Sequence, residues 1–245
     1  MATEIHHVNE VKANFLVSLP AITINEDGRI YPQTDLIAKT SQNMYTLTGD
    51  ISQYVLVVMC SNIVLDGAGY CINGTAMQGV GYNNVGLTLE GVSNVTVKNL
   101  EVCNFGDYCI KLENCSECLI YNVTADDLSL GNSILIKVIE NRISDALSLG
   151  QKNQVNRSNI GTLLLVQHNL VTENNISSIT IASNTANNTV FKNNFFCLMN
   201  SFKESGTNFW NNGTVGNYWK DYNGTDEDKN GIGDAAYCVY VIALG

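Results

Sequence analysis

Asp126 and Asp127 stand side by side near the middle of the chain, and Asp145 follows with Arg142 just ahead of it. Paired acids are the groups that glycoside hydrolysis needs: two carboxyls flank the scissile bond, and one is held protonated as the general acid. Breaking a uronate polymer by elimination calls for a different set, acids that hold calcium and a basic residue that removes the proton beside the carboxylate. Asp126, Asp127 and Asp145 are the catalytic candidates, provided that the fold brings them to one exposed face. The competing reading is that they are loop acids of an acidic protein.

A second oxygen-rich stretch lies near the end of the chain. Asp226, Asp228 and Asn230 alternate, Gly231 follows, Ile232 offers a backbone carbonyl and Asp234 stands at the ninth place, which is the spacing of a calcium loop. A hard cation takes about six to eight oxygens, and this turn supplies about five. Tyr237 occupies the twelfth place, where an EF-hand carries a bidentate Glu, so an EF-hand is excluded. Calcium is the one cofactor expected, stiffening the terminus rather than catalysing; a solvated Asp/Asn turn is the alternative.

The eight cysteines, Cys60, Cys71, Cys103, Cys109, Cys115, Cys118, Cys197 and Cys238, are even in number and suit disulfides in an oxidising compartment. Their pairing is open. Cys115-Ser116-Glu117-Cys118 has the form of half a zinc site, but no second pair matches it and the three histidines lie elsewhere. His6, His7 and His168 share no methionine or cysteine pattern that would complete a copper site, and an exposed strand position accounts for His168.

These residues must be positioned by a repeat. Lys98, Tyr121, Ser144, His168 and Lys192 recur at nearly equal steps, each ahead of Asn or Asp with apolar flanks. A companion series runs Leu87–Glu90, Ile110–Glu113, Ile134–Lys137 and Ile179–Ala182, with apolar and polar residues alternating as in half-buried strands. Short strands at a fixed period, separated by Asn, Ser and Gly, predict an all-β solenoid of about 22–24 residues per coil. Inward Leu, Ile and Val would form columns, and Asn at matched bends would stack in ladders. In this scheme residues 1–54 are an N-terminal cap and lead-in strands, 55–201 the coils, and 202–245 a closing element rich in Gly, Asn and aromatics. The step from Asn62 to Asn94 is longer than the later ones, so a loop must leave that coil around Gly79 to Gly86. Asp66-Gly67-Ala68-Gly69 reads as a sharp turn.

Composition narrows the function. A formal charge of −10 excludes nucleic acid as a natural partner, and the three arginines, Arg29, Arg142 and Arg157, form no patch. No apolar run approaches the ~20 residues of a membrane-spanning helix. Phe15–Leu19 is apolar but short and lacks the basic flank of a secretory signal, as expected of a mature form whose leader has been removed.

The closing element carries the most specific string: Gly216-Asn-Tyr-Trp219-Lys-Asp-Tyr222, then Asp226-Glu-Asp228-Lys-Asn230-Gly231-Ile-Gly233-Asp234. It resembles the ending of NosD-type right-handed parallel β-helix proteins, a group common among archaeal surface and secreted proteins. Asn62–Tyr70 and Ser93–Asn99 resemble that group's early coils, so the resemblance runs from about residue 20 onward. It implies the pectin-lyase-like fold, right-handed coiling and an extracellular or cell-surface address, while folds of this kind host lyases, hydrolases, binders and scaffolds alike. The chain departs from the family after Asp234, where Ala-Ala-Tyr-Cys238 replaces a proline-tyrosine segment; Cys197 and Cys238 are a candidate tie for this tail. The Gly-His-Gly and Arg-x-Lys strings of polygalacturonase-like proteins do not occur. The family name comes from copper-site maturation, which makes copper delivery a further alternative.

Nine Asn-x-Ser/Thr sequons, at Asn73, Asn94, Asn114, Asn122, Asn156, Asn175, Asn187, Asn212 and Asn223, suit a glycosylated surface protein from an archaeal or eukaryotic source. Stacked asparagines at Asn94 or Asn187 would be sheltered from modification. The expected function is that of a structural or carbohydrate-contacting module with cell-envelope components as partners and self-assembly into a layer or filament as one version. Tyr108, Tyr121, Trp210, Tyr218 and Trp219 are candidates for stacking on sugar rings, although the tryptophans are better suited to packing the terminal cap. A polysaccharide lyase or glycoside hydrolase is the alternative.

Overall fold

A three- or four-residue strand cannot bury its apolar row alone, but strands stacked in parallel register can turn the same row of each inward. The computed structural model, which describes residues 20–77, 84–181, 185–196, 207–227 and 235, is a parallel β-solenoid of about seven turns. Among the described residues the only helical element is a 3-10 turn at Gly74–Met77, and no helix is long and apolar enough to cross a membrane.

The chain visits three columns in turn. The first stacks Met44–Leu47, Val64–Asp66, the start of Thr96–Cys103, the start of Leu119–Ser129, Lys137–Ile139, Gln154–Asn156, Leu170–Thr172 and Thr189–Phe191. The second runs from Cys71–Asn73 to Asn194–Phe195 and Tyr218–Trp219. The third begins with Ala21–Ile24 beside Val55–Val58 and ends with the last residues of Asn175–Ile181. Residues expected as lead-in strands are thus already part of the coil. Leu119–Ser129, an 11-residue strand, serves all three columns.

The coil length differs from the expected period. Lys98 does pair with Tyr121, as the first step of the series requires. Tyr121 then lies opposite Ile139, Ile139 opposite Asn156, Asn156 opposite Thr172 and Thr172 opposite Phe191, so every later coil is shorter than the first. Ser144 falls in the bulge between the second and third columns, and His168 and Lys192 sit at bends with positive φ. The expected step advances one short coil plus one strand, and because every strand carries the same alternation before an Asn or Asp, the shifted frame also matches itself. The companion series errs likewise at Ile134–Lys137, which enters the first column. The early coil is long as expected, Asp66 pairing with Lys98. At its sharp turn Ala68 and Gly69 have φ of 52° and 85°, and a Cβ on Gly67 would collide with the carbonyl of Asn99.

The interior is apolar in the early coils, where Leu56, Leu65, Leu87, Val97 and Val102 are fully buried. From residue 133 onward it also carries buried amides at two of the three corners. Along one corner the backbone N–H of Asn153 donates to Asn169 Oδ1 (2.9 Å), that of Asn169 to Asn188 Oδ1 (2.8 Å), and that of Asn188 to Asn208 Oδ1 (3.1 Å). Along the other, Asn141, Ser158, Asn174, Asn193 and Asn217 are linked in the same way over 3.0–3.1 Å. Each buried amide also donates to a carbonyl of the preceding coil, as Asn174 Nδ2 does to Val155 O at 3.0 Å. The expected ladders therefore exist, but not through Asn94 and Asn187. Those two are exposed at positive-φ bends and bond to Asn62 and His168, because a residue in the left-handed region points outward and turns its successor in.

The first coil is covered by antiparallel strands and the last is packed by aromatic rings. Ile30–Tyr31 runs antiparallel to Ala21–Ile24, and Ile37–Ser41 antiparallel to Met44–Leu47, which covers edges that would otherwise invite pairing with another chain. At the far end Trp219 is buried against Phe195, their rings stacked at 4.3 Å, with Trp210 tilted across Trp219 at 5.8 Å.

Asn174→Ala would leave the buried N–H of Ser158 and carbonyl of Val155 without this partner, at about 1–3 kcal/mol each. Asn175→Ala removes an exposed amide and is expected to change stability by less than about 0.5 kcal/mol. Urea denaturation midpoints of the two variants check this ranking, and equal effects would refute the importance given to the inner ladder.

Candidate functional site

The corner between the second and third columns has no buried amide ladder, and it is the irregular one. Register shifts fall between Ala125 and Asp127 and between Ile143 and Ala146, bulges of the kind that re-aim side chains. In the next coil Gly161 fits beneath them: a Cβ there would collide with the carbonyls of Ser144 and Asp145. The bulges bring Asp126, Asp127 and Asp145 together. They add Asp107, which sequence reasoning missed because it lies in an irregular loop outside any repeat position.

The acids are engaged with backbone. Asp126 Oδ2 accepts from the N–H of Asn104 (3.0 Å) and its Oδ1 from Ser144 Oγ (3.1 Å); Asp127 Oδ1 accepts from the N–H of Cys109 (2.8 Å); Asp107 Oδ2 accepts from the N–H of Asn84 (3.0 Å). Burial pushes the Asp127 carboxyl above its ordinary range; the Cys109 amide opposes this, while Asp126, Asp145 and Asp107 add repulsion. Arg142 is exposed on the second column, and among the described residues no Lys or Arg makes an ion pair with these acids. The arrangement can hold a loop in place, present negative charge, and keep the Asp127 carboxyl easier to protonate than an ordinary aspartate.

The second column forms the most exposed face. In register along it lie Cys71, Glu101, Thr124, Arg142, Asn159, Asn175, Asn194 and Tyr218. Asn175 Nδ2 donates to Asn159 Oδ1 and Asn194 Nδ2 to Asn175 Oδ1, both at 2.8 Å. Tyr218 is 58% exposed.

The six described cysteines are thiols. Cys71 Sγ lies 3.7 Å from Cys103 Sγ. Cys115 and Cys118 are buried; hydrogen bonding between the two thiols pulls Cys115 down to about 6 and pushes Cys118 up, and burial raises both. Burial pushes Cys109 up to about 11. Cys60 is half-buried, and Cys197 and Cys238 lie outside the described residues.

Of the calcium candidates, Asp226 is exposed, and Asp228, Asn230, Ile232 and Asp234 lie outside the described residues. The Tyr222 hydroxyl donates to Ala235 O (2.8 Å) and accepts from the N–H of Ala235 (3.3 Å), tying together the two ends of that segment. His168 is bonded to Asn187 (3.3 Å), and His6 and His7 lie outside the described residues. Among the sequons, Asn94, Asn114, Asn122, Asn175, Asn187, Asn212 and Asn223 are exposed, and Asn73 and Asn156 half-buried. The tryptophans pack the cap, whereas Tyr108 and Tyr218 face solvent; Tyr121 is half-buried, its hydroxyl bonded to Glu140.

Fold and surface define a class, a parallel β-solenoid with a polar exposed face and an acid-lined corner. No known protein family matches the chain, and no curated protein matches it.

The raised Asp127 carboxyl binds its proton more tightly in the folded than in the unfolded chain, so its contribution to stability is greatest at low pH and is lost as pH rises from about 4 through the folded value. Asp127→Asn keeps the acceptor for the Cys109 amide and removes the repulsion. It is expected to match or exceed the parent's stability at pH 7 and to flatten the slope over that range. Asp127→Ala is expected to lose about 1 kcal/mol. Thermal melting of both variants across pH checks the pair.

Proposed function

We propose that the protein is a non-catalytic scaffold of a cell surface or extracellular matrix that contacts carbohydrate along its second column. The observation that carries this reading is the exposed row from Thr124 through Arg142, Asn159, Asn175 and Asn194 to Tyr218. It repeats hydrogen-bonding groups at the strand spacing of about 4.8 Å and ends in an aromatic ring of the type that takes the apolar face of a sugar. The amides are already bonded to one another, so little side-chain freedom is lost on binding. The formal charge of −10 favours neutral over uronate polymers. Exposed sequons and the resemblance of the closing string to archaeal NosD-type proteins support the extracytoplasmic address. The antiparallel strands across the first coil disfavour filament growth by end-to-end stacking.

Hydrolysis at the acidic corner is the second reading, favoured by the convergence of three carboxylates around a raised Asp127. The use of Asp126 and Asp127 as backbone caps supports the scaffold instead. Affinity electrophoresis through neutral polysaccharide is expected to retard the protein, and Arg142→Ala, Tyr218→Ala or the double Asn159→Ala/Asn175→Ala to weaken retardation severalfold. Sugar release that disappears in Asp126→Ala would overturn the proposal in favour of the enzyme.

Calcium is proposed for the oxygen-rich stretch beginning with Asp226 on the spacing of its acids, and the Tyr222–Ala235 contacts hold the residues flanking that stretch together. Added calcium is expected to raise the melting temperature of chelator-treated protein, and Asp226→Asn to reduce that gain; no shift would sink the assignment.

A further inference from the structure

Cys71, Glu101 and Cys103 offer two sulfurs and a carboxylate oxygen that all lie within 4.8 Å of one another on the outer face of the second column. We propose that these three residues bind a zinc-class divalent cation, with a fourth position left to solvent.

Register separates this reading from a disulfide. Cys71 is paired with Glu101, and Cys103 with Asn73, so the two cysteines are offset along adjacent parallel strands by the Glu101-to-Cys103 interval. With about 3.3 Å of rise per residue and about 4.8 Å between strands, their Cα atoms stand about 8 Å apart, beyond the roughly 7 Å at which a disulfide closes without backbone movement. A metal spans the offset. Two sulfurs each about 2.3 Å from a tetrahedral zinc are about 3.8 Å apart, and the thiols already stand at 3.7 Å. Alternation along Thr96–Cys103 puts Glu101 and Cys103 on the same face, with Val102 buried between them.

The surroundings favour a cation. Asp50 accepts the N–H of Cys71 (2.9 Å), and Asp126 lies near Cys103. Burial, the bond from Cys103 and the charges of Glu101 and Asp50 push the Cys71 thiol up to about 12, and burial raises Cys103. Thiols are ordinarily protonated at neutral pH and bind metal as thiolates, so the cation must displace about two protons. Asn104 Nδ2 donates to Cys103 Sγ (3.3 Å) and to Asn73 Oδ1 (3.2 Å), the kind of outer contact that orients a sulfur ligand. Three protein ligands and one open position are the pattern of zinc sites that hold a water or a substrate group. The site stands beside the acidic corner but does not depend on the carbohydrate reading.

The test uses the full chain, reduced and stripped of metal. Cobalt(II) is expected to give a sulfur-to-metal charge-transfer band at one equivalent with release of about two protons at neutral pH, zinc to displace the cobalt and remove the band without further proton release, and zinc to protect Cys71 and Cys103 from alkylation. Cys71→Ser or Cys103→Ser should abolish the band, and Glu101→Gln should weaken zinc about tenfold or more. Protection of the unmutated chain keeps the test decisive if a variant fails to fold. The proposal is overturned if no band forms, if the band survives Cys71→Ser/Cys103→Ser but is lost in Cys115→Ser/Cys118→Ser, or if native material carries a Cys71–Cys103 disulfide.

Discussion

The satisfaction of buried backbone at the corners is the constraint on which the rest of this structure depends. A coil of three short strands must bend three times, and each bend turns peptide groups into an apolar interior, where an unpaired one costs about 1–3 kcal/mol. At two corners a residue in the left-handed region, such as Lys152, His168 and Asn187 or Arg157, Glu173 and Lys192, swings its successor inward. In the later coils that successor is Asn or Ser, whose side chain accepts a backbone N–H of the preceding coil and in the asparagines also donates to a carbonyl of that coil. Asparagine suits this place because its amide is both donor and acceptor at the reach of one strand spacing.

Two corners held in this way leave irregularity to the third. There the bulges at Asp126 and at Ser144 and Asp145 accumulate, and there the backbone amides of Asn104 and Cys109 leave the ladder and must find other acceptors. Carboxylates supply them. The acidic cluster is thus a consequence of the coil's geometry before it is anything else, and the thiols of Cys71 and Cys103 stand at its edge, where Asn104 contacts both Cys103 and Asn73.

Much of this is legible in the sequence because alternation and asparagine placement are local. The strands Leu87–Glu90 and Ile110–Glu113 match correctly, as do Lys98 and Tyr121, since early coils are long and their offset is unambiguous. The later coils are misframed because three strands of similar pattern per coil let a shift of one strand pass for a longer coil. Which asparagine faces inward depends on a single positive φ, so sequence alone puts Asn94 and Asn187 on the wrong side of the bend. Asp126, Asp127 and Asp145 stand out as acids in the sequence, whereas Asp107 and the thiol–carboxylate cluster do not. Cys71 meets Glu101 and Cys103 across one of the long early coils, outside the period expected of the later ones.

The same geometry bears on whether the acidic corner is built for turnover. A catalytic carboxyl must change its protonation state in each cycle and keep an oxygen directed at substrate. Asp126 has one oxygen on a backbone amide and the other on the Ser144 hydroxyl, so protonating it would compete with a contact that holds a bulge in place. Asp127 is raised, as a general acid would be, but its bonded oxygen fixes the N–H of Cys109 at the start of a strand in the third column. Groups that secure the coil are poorly placed to move protons. The row from Arg142 to Tyr218 carries no comparable structural duty beyond its own amide contacts, and its side chains remain directed outward in register. That division of labour, acids holding the corner and amides facing solvent, is why binding along the face is the stronger reading.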